Sequence, residues 1–200
     1  MKNKIAVVLA VIVLAILFVI ATDFYKTNED KKIEKLTTST LGAPFVREHS
    51  PSFGENKNNV VIVEFLDPQC EACMAFHPVV KKVFDEYKQE SKLVIRYLAN
   101  HGNSKFVIRV LEAARKQNKY KETLEIIFNT QPQWANHNNP QPELLWTFLP
   151  QAGLDMVKLR SDFESNYIDG MLSLDRSDGA ALNVKGTPTF FVNGKMLKKL

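Results

Sequence analysis

The sequence holds two cysteines, separated by two residues, in Cys70-Glu71-Ala72-Cys73. A single such pair cannot staple a scaffold, so the spacing points to redox chemistry. The pair falls where a strand-like apolar run gives way to a helical pattern. There, the unpaired N–H groups of the first helical turn and the positive end of the helix dipole stabilise a thiolate. A thiol pKa of about 8.5 falls to roughly 3.5–7.5 in such surroundings. Cys70, nearer the loop, is expected to be the exposed nucleophile. Cys73, one turn further in, is expected to be the buried partner that resolves a mixed disulfide. Zinc is the competing reading, but a structural site takes four ligands. Cys70, Cys73 and His77 supply at best three, and His49, His101 and His137 show no ligand spacing. No metal site is expected.

The elements around the pair follow from periodicity. Val60 to Leu66 is a nearly continuous apolar run rich in β-branched residues, as in a strand covered on both faces, and Asp67-Pro68-Gln69 breaks it. From Cys70 onward, Cys73, Phe76, Val80, Val83, Phe84 and Tyr87 keep helical spacing. Lys92 to Leu98 reads as a second strand. Residues 103–182 read as a helical block punctuated by Pro132, Pro140 and Pro142, with its later helices over 142–149, 155–166 and 168–182. Thr189 to Val192 is a strand, Asn193-Gly194 a tight hairpin turn, and Lys195 begins the returning strand. The order strand, helix, strand, helical block, strand, turn, strand defines an α/β core with a helical insertion.

These residues resemble the thioredoxin superfamily and, within it, the DsbA-like disulfide oxidoreductases of bacterial envelopes. The resemblance spans residues 44–200. It is carried by the Cys-x-x-Cys that opens the first helix, Glu64 six residues before Cys70, and Pro78 five residues after Cys73. It is also carried by Gly186-Thr187-Pro188-Thr189-Phe190-Phe191-Val192-Asn193-Gly194, which looks like a cis-proline strand and hairpin facing the cysteines. Phe45 to Pro51 looks like the opening strand segment. Taken singly, Pro188 also reads as an edge-strand proline and Pro78 as a tolerated kink.

The resemblance implies a thioredoxin-like core with the helical block inserted between the second core strand and the cis-proline strand. It implies Cys70, Cys73, Glu64 and Pro188 as catalytic residues, with Glu64 exchanging protons with Cys73. A glutamate in an apolar strand is otherwise costly to bury. Gly186, Thr187 and Pro188 would hold an extended substrate segment, and Glu71 and Ala72 would tune the redox pair. No bound cofactor is implied, because the dithiol is the redox centre. The implied partners are thiol-containing exported proteins and a DsbB-like membrane quinone reductase, or alternatively a membrane thiol reductant driving reduction or isomerisation. Two departures stand out. Glu71-Ala72 replaces the Pro-His of the strongest oxidases, and a carboxylate beside Cys70 is expected to raise its pKa and weaken it as an oxidant. The chain also ends at Leu200, where the family continues, so the C-terminal strand and helix are expected to be truncated.

At the scale of the chain, 45% hydrophobic residues in 200 suit one domain plus an appendage. A net charge of +4, with both signs interleaved and no basic-aromatic stripe, does not point to nucleic acid. Met1-Lys2-Asn3-Lys4 precedes seventeen uncharged residues, Ile5 to Ala21, which read as a membrane anchor or a cleaved signal segment. Lys26, Lys31, Lys32 and Lys35 on the far side oppose an external domain by simple counting. The short N-terminal tail and exported redox chemistry favour one, on the periplasmic or extracytoplasmic side of an inner membrane. Residues 1–21 are thus the anchor or signal, 22–42 a polar linker and 43–200 the thioredoxin-like domain. The function expected is disulfide formation in exported proteins. The alternatives are a membrane-fed reductase or isomerase and, from another class, a metal-binding chaperone module.

Overall fold

Val60 to Leu66 pairs in parallel with Ser91 to Tyr97, and the helix Glu71–Tyr87 makes the crossover between them. The computed structural model describes residues 13–24, 42–164 and 167–198, and the chain divides into two units between Leu41 and Gly42. In the first unit, residues 13–24 form a helix (α1) with Leu14, Phe18 and Phe24 exposed. Among the described residues no helix is long and apolar enough to cross a membrane. Residues 1–12 of the expected anchor or signal segment, and residues 25–41 of the expected linker, lie outside the described residues.

The second unit contains β1 (Ser52–Phe53), β2 (Val60–Leu66), α2 (Glu71–Tyr87) and β3 (Ser91–Tyr97). The helical insertion follows as α3 (Ser104–Arg115), α4 (Tyr120–Trp134), α5 (Leu145–Phe148), α6 (Met156–Phe163) and α7 (Tyr167–Ala181). The hairpin β4 (Thr189–Val192) and β5 (Lys195–Met196) closes the described chain. The sheet order is β1-β3-β2-β4-β5, with only β2 and β3 parallel. The expected mixed α/β core with an inserted helical block is therefore the observed one.

Alternation along β3 shows how the two faces of the sheet are used. Tyr97 reaches the insertion, where its hydroxyl meets Glu112 of α3 and the Tyr120 hydroxyl of α4, each at 2.9 Å. Arg96 points the other way and is fully buried against Asp175 and Asp178 of α7. Leu66, Leu93, Ile95 and Tyr97 join the core that the insertion covers. On the α7 face, Gly179 comes so close to Phe65 that an added Cβ would sit 3.3 Å from its ring.

The β4–β5 turn follows the prediction. Asn193 (φ 47°) and Gly194 (φ 77°) both adopt left-handed backbone, as a two-residue hairpin turn requires. The Asn193 side chain also accepts from the Val61 N–H at 2.7 Å, tying the turn to β2.

One expectation fails. Phe45 to Pro51 is not a strand; strand pairing begins only at Ser52. The segment closes turns on itself, Phe45 N–H to Gly42 and Ser50 N–H to Arg47, because its side chains are committed to α7. Arg47 pairs with Asp178 and His49 with Asp175. The apolar stripe of α2 is only partly covered: Cys73 and Phe84 are buried, whereas Val83 and Tyr87 are exposed.

Candidate active site

Cys70 is the N-cap of α2, with extended backbone (φ −74°, ψ 124°) and no capping side-chain bond of its own. The N–H groups of Ala72 and Cys73 in the first turn nevertheless act on its sulfur and favour the thiolate. Cys70 and Cys73 are both free thiols. Cys73 is fully buried, as expected, but Cys70 is not the exposed residue anticipated: it is only 8% exposed. The segment before β4 lies over it, with the Cys70 thiol donating to the Thr187 carbonyl at 3.4 Å. The Thr187–Pro188 peptide bond is cis, and Gly186, Thr187 and Pro188 are half-buried beside the sulfur. The Gly186 carbonyl accepts from the Thr189 hydroxyl at 2.7 Å, which fixes the bend leading into β4.

The two thiols are driven apart in acidity. A hydrogen bond from Cys73 is the largest influence on Cys70. Burial works against it, while Thr187 and the N–H groups of Ala72 and Cys73 assist, and the Cys70 pKa is lowered to about 5. The same shared hydrogen, together with burial, pushes Cys73 well above the ordinary thiol range, and the charge of Glu64 adds to this. Glu64 itself is buried in β2, between Ile95 and Phe190 in register. Desolvation raises its pKa to about 8. It lines a cavity of about 300 Å³ with Tyr120, Leu124 and His77. Pro78 lies within α2.

The expected effect of Glu71 is not the net outcome. Cys70 lies below, not above, its ordinary range, because the hydrogen bond from Cys73, the Thr187 side chain and the first-turn N–H groups together outweigh burial and any effect of Glu71; the Glu71 carboxylate itself lies 2.6 Å from His137. Ala72 is exposed and contributes its N–H. His77 lies 3.3 Å from Glu125 and packs on the Phe128 ring. Burial lowers its pKa. Among the described residues no group of three or more His, Cys, Asp and Glu could hold a metal ion.

Sequence reasoning missed the residues that hold the Cys70 loop. Gln131 of α4 donates to the carbonyls of Pro68 and Cys70 at 3.1 and 3.3 Å. Gln69 accepts from the Asn103 N–H at 2.8 Å, and Asp67 joins the loop to Asn100, His101 and Ser104. An aspartate three residues before a helix-opening cysteine was a usable signal. Gln131, one polar position in a long helical block, left none.

A fold with a parallel β2–α2–β3 unit, cysteines at the start of α2 and a cis-proline segment across from them is that of the thioredoxin-like proteins. The family described as Thioredoxin matches residues 47–200, and the chain belongs to it. A Bacillus cereus protein named disulfide bond formation protein D is 26% identical over 208 residues, covering 98% of this chain and 91% of that protein. A Rickettsia conorii protein named protein-disulfide oxidoreductase is 25% identical over 179 residues, covering 86% of this chain. The chain spans 64% of that Rickettsia protein. It spans 22% of an Na(+)/H(+) antiporter NhaA of Herminiimonas arsenicoxydans, at 24% identity over 145 residues. Among solved structures, oxidised BdbD from Bacillus subtilis superposes with a TM-score of 0.64 at 22% identity, covering 76% of this chain and 85% of that one. The thiol-disulfide exchange protein alpha-DsbA2 from Wolbachia pipientis does so with a TM-score of 0.69 at 18% identity, covering 86% and 89%. The DsbA-like resemblance read from the motifs is thus matched in fold.

Proposed function

We propose that the protein is a thiol–disulfide oxidoreductase of the bacterial envelope that oxidises exported proteins through a Cys70–Cys73 disulfide. The observation that carries this is the setting of Cys70. It caps α2 with its sulfur 3.4 Å from the Thr187 carbonyl, and its partner cysteine lies buried one turn away. A partner thiolate attacks Cys70, Cys73 leaves, and a mixed disulfide forms. A second partner thiol then attacks the partner sulfur, releasing Cys70 as a thiolate. The half-buried Gly186-Thr187-Pro188 segment borders the sulfur and would receive the partner's extended chain. Glu64 would exchange the Cys73 proton, supported by its burial and by its charge acting on Cys73.

Direction follows from acidity. A stabilised Cys70 thiolate favours the reduced dithiol, so the disulfide is a good acceptor of electrons. Reoxidation then calls for a DsbB-like membrane quinone reductase. An apolar N-terminal segment, residues 5–21, supports membrane attachment, and the short N-terminal tail supports an external domain against the count of lysines that follow it. The dithiol needs no bound cofactor. The test is a trapping experiment. Cys73→Ala should accumulate reductant-sensitive mixed disulfides with exported thiol proteins, and Cys70→Ala should accumulate none. Absence of adducts in Cys73→Ala would contradict the assignment.

A further inference from the structure

The fully buried Asp67 carboxylate ties the loop before α2 to the loop before α3. Its Oδ1 accepts from the Gln69 N–H at 2.9 Å and the Ser104 hydroxyl at 2.6 Å. Its Oδ2 accepts from the Asn100 N–H at 2.8 Å, the His101 N–H at 3.3 Å and the His101 ring Nδ1 at 2.8 Å. Its main-chain carbonyl accepts from the Cys70 N–H at 3.0 Å. A turn-forming aspartate needs one or two such bonds. Asp67 has five side-chain contacts, and one goes to a titratable ring. With Nδ1–H committed to the carboxylate, the other ring nitrogen takes up and releases the proton. The His101 side chain is 30% exposed, so that proton exchanges with solvent. Partial burial opposes its charged form, but Asp67 and the charges of Cys70 and Glu71 prevail and raise its pKa.

We propose that His101, positioned by Asp67, supplies the cation that stabilises the Cys70 thiolate, and that it makes the potential of the Cys70–Cys73 pair depend on its own protonation. The charge thus comes from the loop before α3, not from the dipeptide between the cysteines. This rests on Cys70–Cys73 being the redox centre. In the step it assists, a partner dithiol gives up two electrons and two protons and becomes a disulfide. The Cys70–Cys73 bond breaks, Cys73 keeps one proton as a thiol, Cys70 leaves as a thiolate, and one proton passes to solvent. The other charges around this loop are Glu71, paired with His137 at 2.6 Å; Arg176 of α7, which donates to the Ala99 carbonyl; and Lys105 of α3, paired with Asp169.

The test uses the full chain, its His101→Gln and His137→Gln variants, and equilibration with glutathione near pH 6 and near pH 9, either side of the histidine range. His101→Gln should raise the Cys70 titration, followed by alkylation rate, by about one unit. Near pH 6 it should lower the equilibrium constant for oxidising glutathione roughly tenfold, about 30 mV. The difference should vanish near pH 9, where His101 is neutral in the parent, and His137→Gln should have the smaller effect. In the unsubstituted protein, the His101 ring should titrate higher in the reduced than in the oxidised form, by reciprocity. A His101→Gln protein that matches the parent near pH 6, or whose deficit persists near pH 9, would overturn the proposal. A parent protein that fails to equilibrate with glutathione would instead overturn the redox assignment itself.

Discussion

Two buried acids of opposite character meet at this site: Cys70, lowered to about 5, and Glu64, raised to about 8. Their effects on stability have opposite signs. Glu64 ordinarily titrates at 4.5, so between 4.5 and about 8 the unfolded chain has lost a proton that the folded chain keeps. Stability therefore falls with rising pH over that window, by about 1.4 kcal/mol per pH unit. Cys70 ordinarily titrates at 9, so between about 5 and 9 the folded chain has lost a proton that the unfolded chain keeps. Stability then rises by the same slope. In the reduced protein the two slopes cancel from about pH 5 to 8. In the oxidised protein Cys70 does not titrate, so of these two slopes that of Glu64 remains. Denaturant unfolding against pH should show this contrast, and Glu64→Gln should flatten the oxidised profile. A slope that survives in Glu64→Gln would assign it to another group. The cysteines and Glu64 were legible in the sequence, because a paired thiol and a carboxylate in an apolar strand are local anomalies. The burial of Cys70 was not, because the residues that cover it lie more than a hundred positions away.

At the scale of elements, the insertion is the clamp on the active-site loop. Gln131 of α4 and the start of α3 grip it from two sides. A second clamp holds α7 to β3. The Arg96 guanidinium, fully buried, donates to Asp175 and Asp178 and to the carbonyl of Phe45, while Asp175 also accepts from the Tyr97 N–H at 2.7 Å. Removing one partner of a buried ion network leaves an uncompensated charge, which costs about 3–5 kcal/mol. Asp175→Ala should therefore lower the unfolding free energy by that order, read as a lower denaturant midpoint with little change in slope. A loss below about 1 kcal/mol, typical of an exposed pair, would contradict the role given to the network. Strands β2 and β4 were legible to the residue from their apolar runs, as was the Asn193-Gly194 turn. The turn conformation of Phe45 to Pro51 was not. Its form is dictated by ion pairs from Arg47 and His49 to α7, and no pattern within the segment announces them.

The whole second unit is a thioredoxin-family domain in which one sheet face meets α3 and α4 of the insertion and the other meets its last helix, α7. The fold class was legible because periodicity and motif order agreed. The lowering of Cys70 by the helix N–H groups was legible from its place at the helix start; the contribution of Thr187 was not, because it comes from a segment more than a hundred positions away. The balance of acidity at the cysteines is what gives the domain its direction. A Cys70 thiolate stabilised while Cys73 stays protonated makes the reduced state the favoured one, and the disulfide an oxidant. The most direct test is the equilibrium reduction potential of the Cys70–Cys73 pair in the full chain against glutathione near pH 7. We expect a value above about −200 mV, toward the roughly −120 mV of DsbA. A value at or below the roughly −270 mV of thioredoxin would contradict oxidation as the working direction.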